Sequence, residues 1–265
     1  MPRASDDALL AVAFAAAQAA AGELRARFGR AVNGVRAKSS PTDPVSDADL
    51  AAEAAIRAVL ARQRPHDSIL GEEGGATGGE AELRWVVDPL DGTVNFLYGI
   101  PTFAVSVACE DAAGAIAGVV LDPLRDECFA ATRSGAATLN GDPIRASTRT
   151  ELARALIATG FAYDAEVRGR QAQVAARLLP RVRDIRRAGA AALDLCSCAC
   201  GRVDAYYERG LHPWDHAAGG LICARAGASV RRLEAQGRLP DGLVVAPEAL
   251  IDALYELVAN GAGGL

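Results

Sequence analysis

The sequence predicts a mixed fold, α+β over about residues 1–150 and α/β over about 151–265, with both halves sharing one core in a single unit spanning 1–265. Three observations carry that prediction. Two helical patterns open the chain, a run of antiparallel strand signals follows, and strands alternate with helices after residue 150. No repeat, linker or low-complexity tract separates the halves. At 265 residues with 51% hydrophobic side chains, the chain can build a large core without disulfide or metal staples.

Taken in order, "DDALLAVAFAAAQAAAGELRAR" predicts an Ala-rich helix over about 5–28, with Gly29 beyond its end. Asp6 and Asp7 stand where a secretory leader needs positive charge. The apolar run ends at Gln18, too short for a bilayer, so a soluble helix is expected. A loop with Gly34, Pro41 and Pro44 leads to Ser46, a suitable N-cap, and "DADLAAEAAIRAVLARQ" predicts a second helix with Leu50, Ile56, Val59 and Leu60 near one face. "SIL" and "LRWVV" predict strands, separated by "GEEGG" and a glycine-rich loop. "FAVSVACE", "GAIAGVVLD" and "ECFAATR" predict an antiparallel meander turned at "DAAG" and "DPLRD". Asn140-Gly141 predicts a hairpin.

In the second half, "ALIATG", "RVRDI", "VDAYYE" and "LVVA" predict strands. Helices are predicted at 165–179, in "GAAALDLCSCACG" up to Gly201, in "DHAAGGLICARAG" up to Gly227, and in "PEALIDALYELVAN", where Pro247 suits the first turn. Tyr206 and Tyr207 should pack on opposite faces of their strand. Trp85 and Trp214 read as scaffold, and His66 as a surface loop residue.

Charge and cysteine usage exclude several functions. The net charge of −5 gives no basic field for nucleic acid or a membrane surface. The six cysteines include "CSCAC", which lacks a C-x-x-C pair, so reduced buried thiols and a cytoplasmic location are expected rather than zinc. His212 and His216 have H-x-x-x-H spacing, but Pro213 should interrupt any helix between them. Among 28 basic residues only Lys38 is lysine. A compact ammonium and a planar guanidinium are not interchangeable, which marks Lys38 as a candidate functional residue.

The chemistry concentrates in "VVDPLDGTVNF", residues 86–96. A buried strand delivers Asp88 and Asp91 to one turn, with Pro89 expected to fix the backbone as it leaves the sheet. Two carboxylates so close repel unless a cation or proton lies between them, and hard divalent ions prefer such oxygen donors. Gly92 allows close backbone approach, and Thr93 should open a short helix whose free N–H groups suit a phosphate. Glu72 in "GEE", Asp49 in "VSDAD" and Asp215 in "HPWDHAAGG" are further candidate acids, each of which also fits a solvated or helix-start charge.

In this order and spacing, "GEE", "DPLDGTVNF" and "WDHAAGG" resemble the inositol monophosphatase family of Mg²⁺-dependent phosphatases. "KSSPTDPVSDAD", "AGAAALDL" and "VDAYYERG" extend the resemblance from about Lys38 to Gly227. The resemblance implies a layered αβαβα sandwich of the inositol monophosphatase and fructose-1,6-bisphosphatase type. It implies Glu72, Asp88, Asp91, Asp215 and the Leu90 carbonyl as ligands of two or three Mg²⁺, with Mn²⁺ a substitute. Gly92 and Thr93 would hold phosphate, the Asp49–Thr93 pair would orient the attacking water with Glu72, and Lys38 would lie near the metal and phosphate. Gly189, Ala191, Glu208 and Asp215 would face the substrate. Ala190 stands where relatives usually carry Ser or Thr, which removes one hydroxyl from the substrate loop.

The implied activity is hydrolysis of inositol monophosphate by a lithium-sensitive, cytoplasmic homodimer acting on a small phosphorylated polyol or sugar. Val94 and Asn95 favour inositol phosphate by family analogy. Fructose 1,6-bisphosphate, histidinol phosphate and nucleotide 3′-phosphates are the rival substrates. A regulatory binding protein on the same scaffold is the alternative outside catalysis.

Overall fold

The computed structural model of the chain describes residues 5–30, 34–37, 44–78 and 82–259. Lys38 lies outside the described residues. The chain opens with α1 (Asp6–Arg27), a two-stranded ribbon of β1 (Arg36–Ala37) and β2 (Pro44–Val45), and α2 (Asp47–Gln63). There follow β3 (Ser68–Gly71), β4 (Gly75–Thr77), β5 (Arg84–Asp91) and the short α3 (Thr93–Leu97). The meander is β6 (Ala104–Asp111), β7 (Gly114–Asp122) and β8 (Glu127–Thr132), extended by the hairpin β9 (Thr138–Leu139) and β10 (Asp142–Pro143). Asn140 and Gly141 between these two strands both have positive φ, as a tight Asn-Gly hairpin turn requires. The second half runs β11 (Leu156–Thr159), α4 (Ala165–Leu178), β12 (Asp184–Arg186), α5 (Ala191–Ala199), β13 (Ala205–Arg209), α6 (Pro213–Arg225), β14 (Ser229–Leu233), β15 (Gly242–Ala246) and α7 (Glu248–Ala259).

Eight strands form one sheet in the order β10-β9-β8-β7-β6-β5-β3-β4, antiparallel except where β3 runs parallel to β5. Five form the other, β12-β11-β13-β15-β14, parallel at β12-β11-β13 and antiparallel beyond. Period-two side-chain alternation distributes these strands over three cores. Val105, Val107 and Cys109 of β6 join α1 and α2, whereas Ala104 and Ala108 face α5 and α6. In β13, Tyr206 faces the same α5–α6 layer, while Ala205 and Tyr207 face α4 and α7. The architecture is therefore the layered αβαβα sandwich: α1/α2, eight strands, α5/α6, five strands, α4/α7.

Several expectations need correction. Leu50 is 48% exposed, and the buried face of α2 instead carries Ala52, Ile56, Val59 and Leu60 with the polar Asp49 and Glu53. The polar pair was invisible to a pattern of apolar residues alone. The strand carrying Trp85 does not end at Pro89: β5 continues to Asp91, with its register against β6 shifting between Asp88 and Asp91. A proline without an N–H is accommodated at such an irregularity. Pro213 does not interrupt a helix but begins α6, with His212 as its N-cap. The polar-looking "SVRRL" forms β14, an edge strand that the apolar pattern did not show. α1 is also longer than the run to Gln18: its length and hydropathy of 1.3 would let it cross a membrane. Here its Leu9, Ala13, Ala16, Ala17, Ala20, Ala21 and Leu24 are buried against protein.

Glycines set how closely the central helices pack. A Cβ on Gly118 of β7 would fall 2.9 Å from the Ala218 Cα of α6, and one on Gly219 would fall 2.8 Å from the Leu195 Cβ of α5. Gly118→Ala should therefore push α6 off the sheet. We expect a loss of about 1–3 kcal/mol in urea denaturation; unchanged stability would contradict this contact.

Candidate active site

A cavity of about 360 Å³ opens between the two sheets, where β3, β5 and β13 end and α6 begins. Glu72, Asp88, Leu90, Asp91, Gly92, Thr93, Gly189, Ala191, Glu208 and Asp215 all line it. Asp49 lies behind, buried on the first turn of α2. Every candidate site residue within the described segments thus belongs to this one place.

Local structure explains how each acid is held. Asp49 closes the capping box of α2: its Oδ2 accepts from the Ser46 N–H at 2.8 Å and hydroxyl at 2.6 Å. Its Oδ1 accepts from the Thr93 hydroxyl at 2.9 Å, tying α2 to α3 across the site. Asp88 Oδ1 accepts the Leu90 N–H at 2.9 Å, which turns the backbone at the end of β5. Gly92 adopts φ +95, and a Cβ there would meet the Thr102 carbonyl at 3.1 Å, so the turn requires glycine.

Asp91 and Asp215 also act as helix caps. The Asp91 carboxylate accepts the N–H groups of Ala191 at 3.0 Å and Ala192 at 2.7 Å, the free donors at the start of α5. Ala190, the N-cap, supplies no side-chain bond, and Asp91 takes that role from 100 residues away in sequence. Asp215 Oδ2 accepts the His212 N–H at 2.7 Å in the capping box of α6. The Ser106 hydroxyl donates to the Trp214 carbonyl at 3.1 Å, fixing that helix start to β6.

The electrostatics are strained. Burial pushes the Asp88 carboxyl well above the usual range, and repulsion from Glu72, Asp91 and Asp215 adds to it. Burial raises Asp91 to about 7, against the lowering pull of the α5 N–H groups. Asp215 is pushed well up by burial and then by Asp91. Asp215 and Glu208 keep an edge open to the cavity, so hydration is restricted there rather than absent. Burial also brings Glu208 to about 7, although the Tyr206 hydroxyl, donating to its Oε2 at 2.9 Å, opposes the shift. Among the described residues, no basic side chain forms an ion pair with Asp88, Asp91 or Asp215. No three potential ligand groups among them are already closed around one point. The carboxylates border a common space and repel across it, as an open site for hard cations would.

Other lining residues escaped the motif search. Arg187 is exposed at the rim, where its charge lowers the pKa of Asp194 and Glu208. Trp214, read as scaffold, borders the cavity and stacks on His212 with ring centroids 4.9 Å apart. Gly160 lines the opposite wall, where any Cβ would strike the Glu208 carboxylate at 2.1 Å. Only the glycine that ends "ALIATG" hinted at this. Asn95 proves to be a brace: its Nδ2 donates to the carbonyls of Thr102 at 2.7 Å and Ala188 at 2.9 Å.

The chain is similar in sequence and fold to known proteins. The sequence profile described as the inositol monophosphatase family matches residues 5–260. The chain is 47% identical over 214 residues to the inositol-1-monophosphatase SuhB of Mycobacterium tuberculosis H37Rv, covering 77% of this chain and 73% of that protein. It is 45% identical over 194 residues to a Pseudomonas aeruginosa protein named Nus factor SuhB, covering 71% of this chain and 72% of that one. A Bartonella henselae structure, extragenic suppressor protein suhB, superposes with TM-score 0.88 at 35% identity, covering 97% of this chain and all of that one.

A carboxyl that holds its proton more tightly when folded favours the folded state at low pH. For Asp91, with 3.8 as its ordinary value and about 7 when folded, this contribution is complete below about pH 4 and lost as pH rises through 7. We expect metal-free protein to lose stability between about pH 4 and about pH 7, and Asp88→Asn to flatten that decline in denaturant titrations. An Asp88→Asn profile parallel to wild type would contradict the mutual repulsion.

Proposed function

The chain belongs to the inositol monophosphatase family, and on that premise we propose that it hydrolyses inositol monophosphate to inositol and phosphate. The observation that carries the reading is the convergence of Glu72, Asp88, Asp91 and Asp215 on one cavity, where burial and mutual repulsion make Asp88, Asp91 and Asp215 hold their protons more tightly. The donor set suits Mg²⁺, which takes carboxylate, carbonyl and water oxygens. Glu72, Asp88, Asp91, Asp215 and the Leu90 carbonyl would hold two or three such ions, with Mn²⁺ able to substitute. Bound there, they would supply a water of lowered pKa and neutralise phosphate charge.

The chain's own groups would organise the rest. The Thr93 hydroxyl, by donating to Asp49, keeps its lone pairs free to accept from an attacking water, with Glu72 on the other side. Backbone N–H groups of Gly92 and Thr93 would face the phosphate oxygens. Water would attack phosphorus in line, and the ester oxygen would leave as the inositol hydroxyl. On the substrate side, Tyr206 fixes one Glu208 oxygen and leaves the other for a sugar hydroxyl. Gly189 and Ala191 would form the adjoining wall, but the Ala191 N–H is committed to Asp91, so Ala191 would contact substrate through other atoms. Ala190, itself buried, is part of that same wall. A hydroxyl there would have α5 to cap, a task already taken by Asp91.

A second reading is a binding role in a regulatory complex, favoured by the name Nus factor carried by the Pseudomonas relative. One assay separates the two. We expect Mg²⁺-dependent phosphate release from inositol 1-phosphate, exceeding that from histidinol phosphate, fructose 1,6-bisphosphate and nucleotide 3′-phosphates. Asp88→Asn should abolish it, and Thr93→Val should lower kcat about 100-fold. Release from none of the panel would overturn the phosphatase reading and favour the binding role.

A further inference from the structure

Glu53 is a carboxylate 3% exposed on α2, one helical turn after Asp49, and no step of the chemistry above uses it. Burying a charge in this way is unfavourable unless specific partners hold it. Its partners are the loop that carries Glu72. Oε2 accepts the Glu73 N–H at 2.8 Å, and Oε1 accepts the Gly74 N–H at 2.9 Å. Oε1 also accepts from Arg57 Nε at 2.6 Å, one further turn along the helix. Arg57 then reaches past the loop to the Thr77 hydroxyl at 2.8 Å and the Gly75 carbonyl at 2.9 Å.

The glycines around Glu72 match this arrangement. A Cβ on Gly71 would lie 2.6 Å from Glu53 Oε1, and one on Gly74 would lie 2.5 Å from the same oxygen and 2.7 Å from an Arg57 nitrogen. The "GEEGG" segment thus wraps a carboxylate and guanidinium presented by α2. We propose that Glu53, clamped by Arg57, is a positioning residue that sets the Glu72 carboxylate in the active site. One helix would then position two parts of the site, Thr93 through Asp49 and Glu72 through Glu53. Charge-assisted bonds to two successive N–H groups fix a loop more firmly than neutral ones, as placement of a reacting group requires. The proposal rests on the assignment of Glu72 to the metal and water side of the site.

The test compares Glu53→Gln, Gly74→Ala and Glu72→Gln with wild type by amide hydrogen exchange over residues 71–77 of the metal-free protein, and by kcat, KM and Mg²⁺ half-saturation with inositol 1-phosphate. A glutamine in place of Glu53 keeps the size but cannot accept from both N–H groups and Arg57 together. We expect it to speed exchange at Glu73 and Gly74 about 10-fold, lower kcat about 10- to 100-fold and raise the Mg²⁺ requirement, with KM nearly unchanged. Gly74→Ala, an exposed position whose Cβ would press on Glu53 Oε1 and Arg57, should give the same split without altering any residue of α2. Glu72→Gln should abolish turnover while leaving exchange at wild-type rates. Wild-type exchange in Glu53→Gln, or faster exchange with kcat and Mg²⁺ dependence intact, would overturn the proposal. If Glu53→Gln does not fold, a Gly74→Ala protein with wild-type kinetics overturns it equally. Full turnover by Glu72→Gln would instead overturn the reading of Glu72 on which the proposal stands.

Discussion

Like charge held at close range in a partly dry cavity is the constraint on which this molecule turns. Glu72, Asp88, Asp91 and Asp215 come from the loop after β3, the end of β5 and the first turn of α6, and all face one space. Two like charges about 4 Å apart repel by about 4 kcal/mol at the effective dielectric of a protein site. Burial adds to this, which is why the acids near the centre hold their protons so tightly. A fold that keeps such groups together must hold them from behind.

Among the described residues, the fold holds Asp88, Asp91 and Asp215 through backbone donors. Asp91 caps α5, Asp215 caps α6, and Asp49 caps α2. Helix starts carry unpaired N–H groups and partial positive charge, so a carboxylate placed there finds favourable partners. The caps also join the layers. Asp91 binds the eight-stranded sheet to the central helices, and the Asp49–Thr93 bond joins the outer helical layer to the cavity end of the sheet. Assembly of the sandwich and assembly of the site are in this sense one event. Close approach of α6 through Gly118 and Gly219 completes it by bringing Asp215 up to the end of β5.

Much of this was legible in the sequence, because the informative features are local. Apolar runs between turn signals marked β5 to β8, Ser46 marked the start of α2, terminal glycines marked the ends of α1, α5 and α6, and Asn140-Gly141 marked its hairpin. Three short acidic motifs carry the cavity's carboxylates. What stayed hidden depends on contacts between distant segments. Nothing near Glu53 in sequence reveals that it meets Glu73 and Gly74. Nothing near Ala190 reveals that its missing hydroxyl is replaced by Asp91. Leu50 obeys helical spacing yet points outward, because the inner face of α2 is given to Asp49 and Glu53. Arg187 and Trp214 reach the cavity only through the packing of the layers.

The proposed function requires that cations displace protons from a cluster of crowded carboxylates. Its most direct test is calorimetric titration of Mg²⁺ into metal-free protein near pH 7, repeated in buffers of different ionisation enthalpy to count protons. The account predicts saturable binding that releases about one proton or more per protein molecule, with affinity rising with pH. Saturable binding with no proton release, or no binding at all, would contradict it.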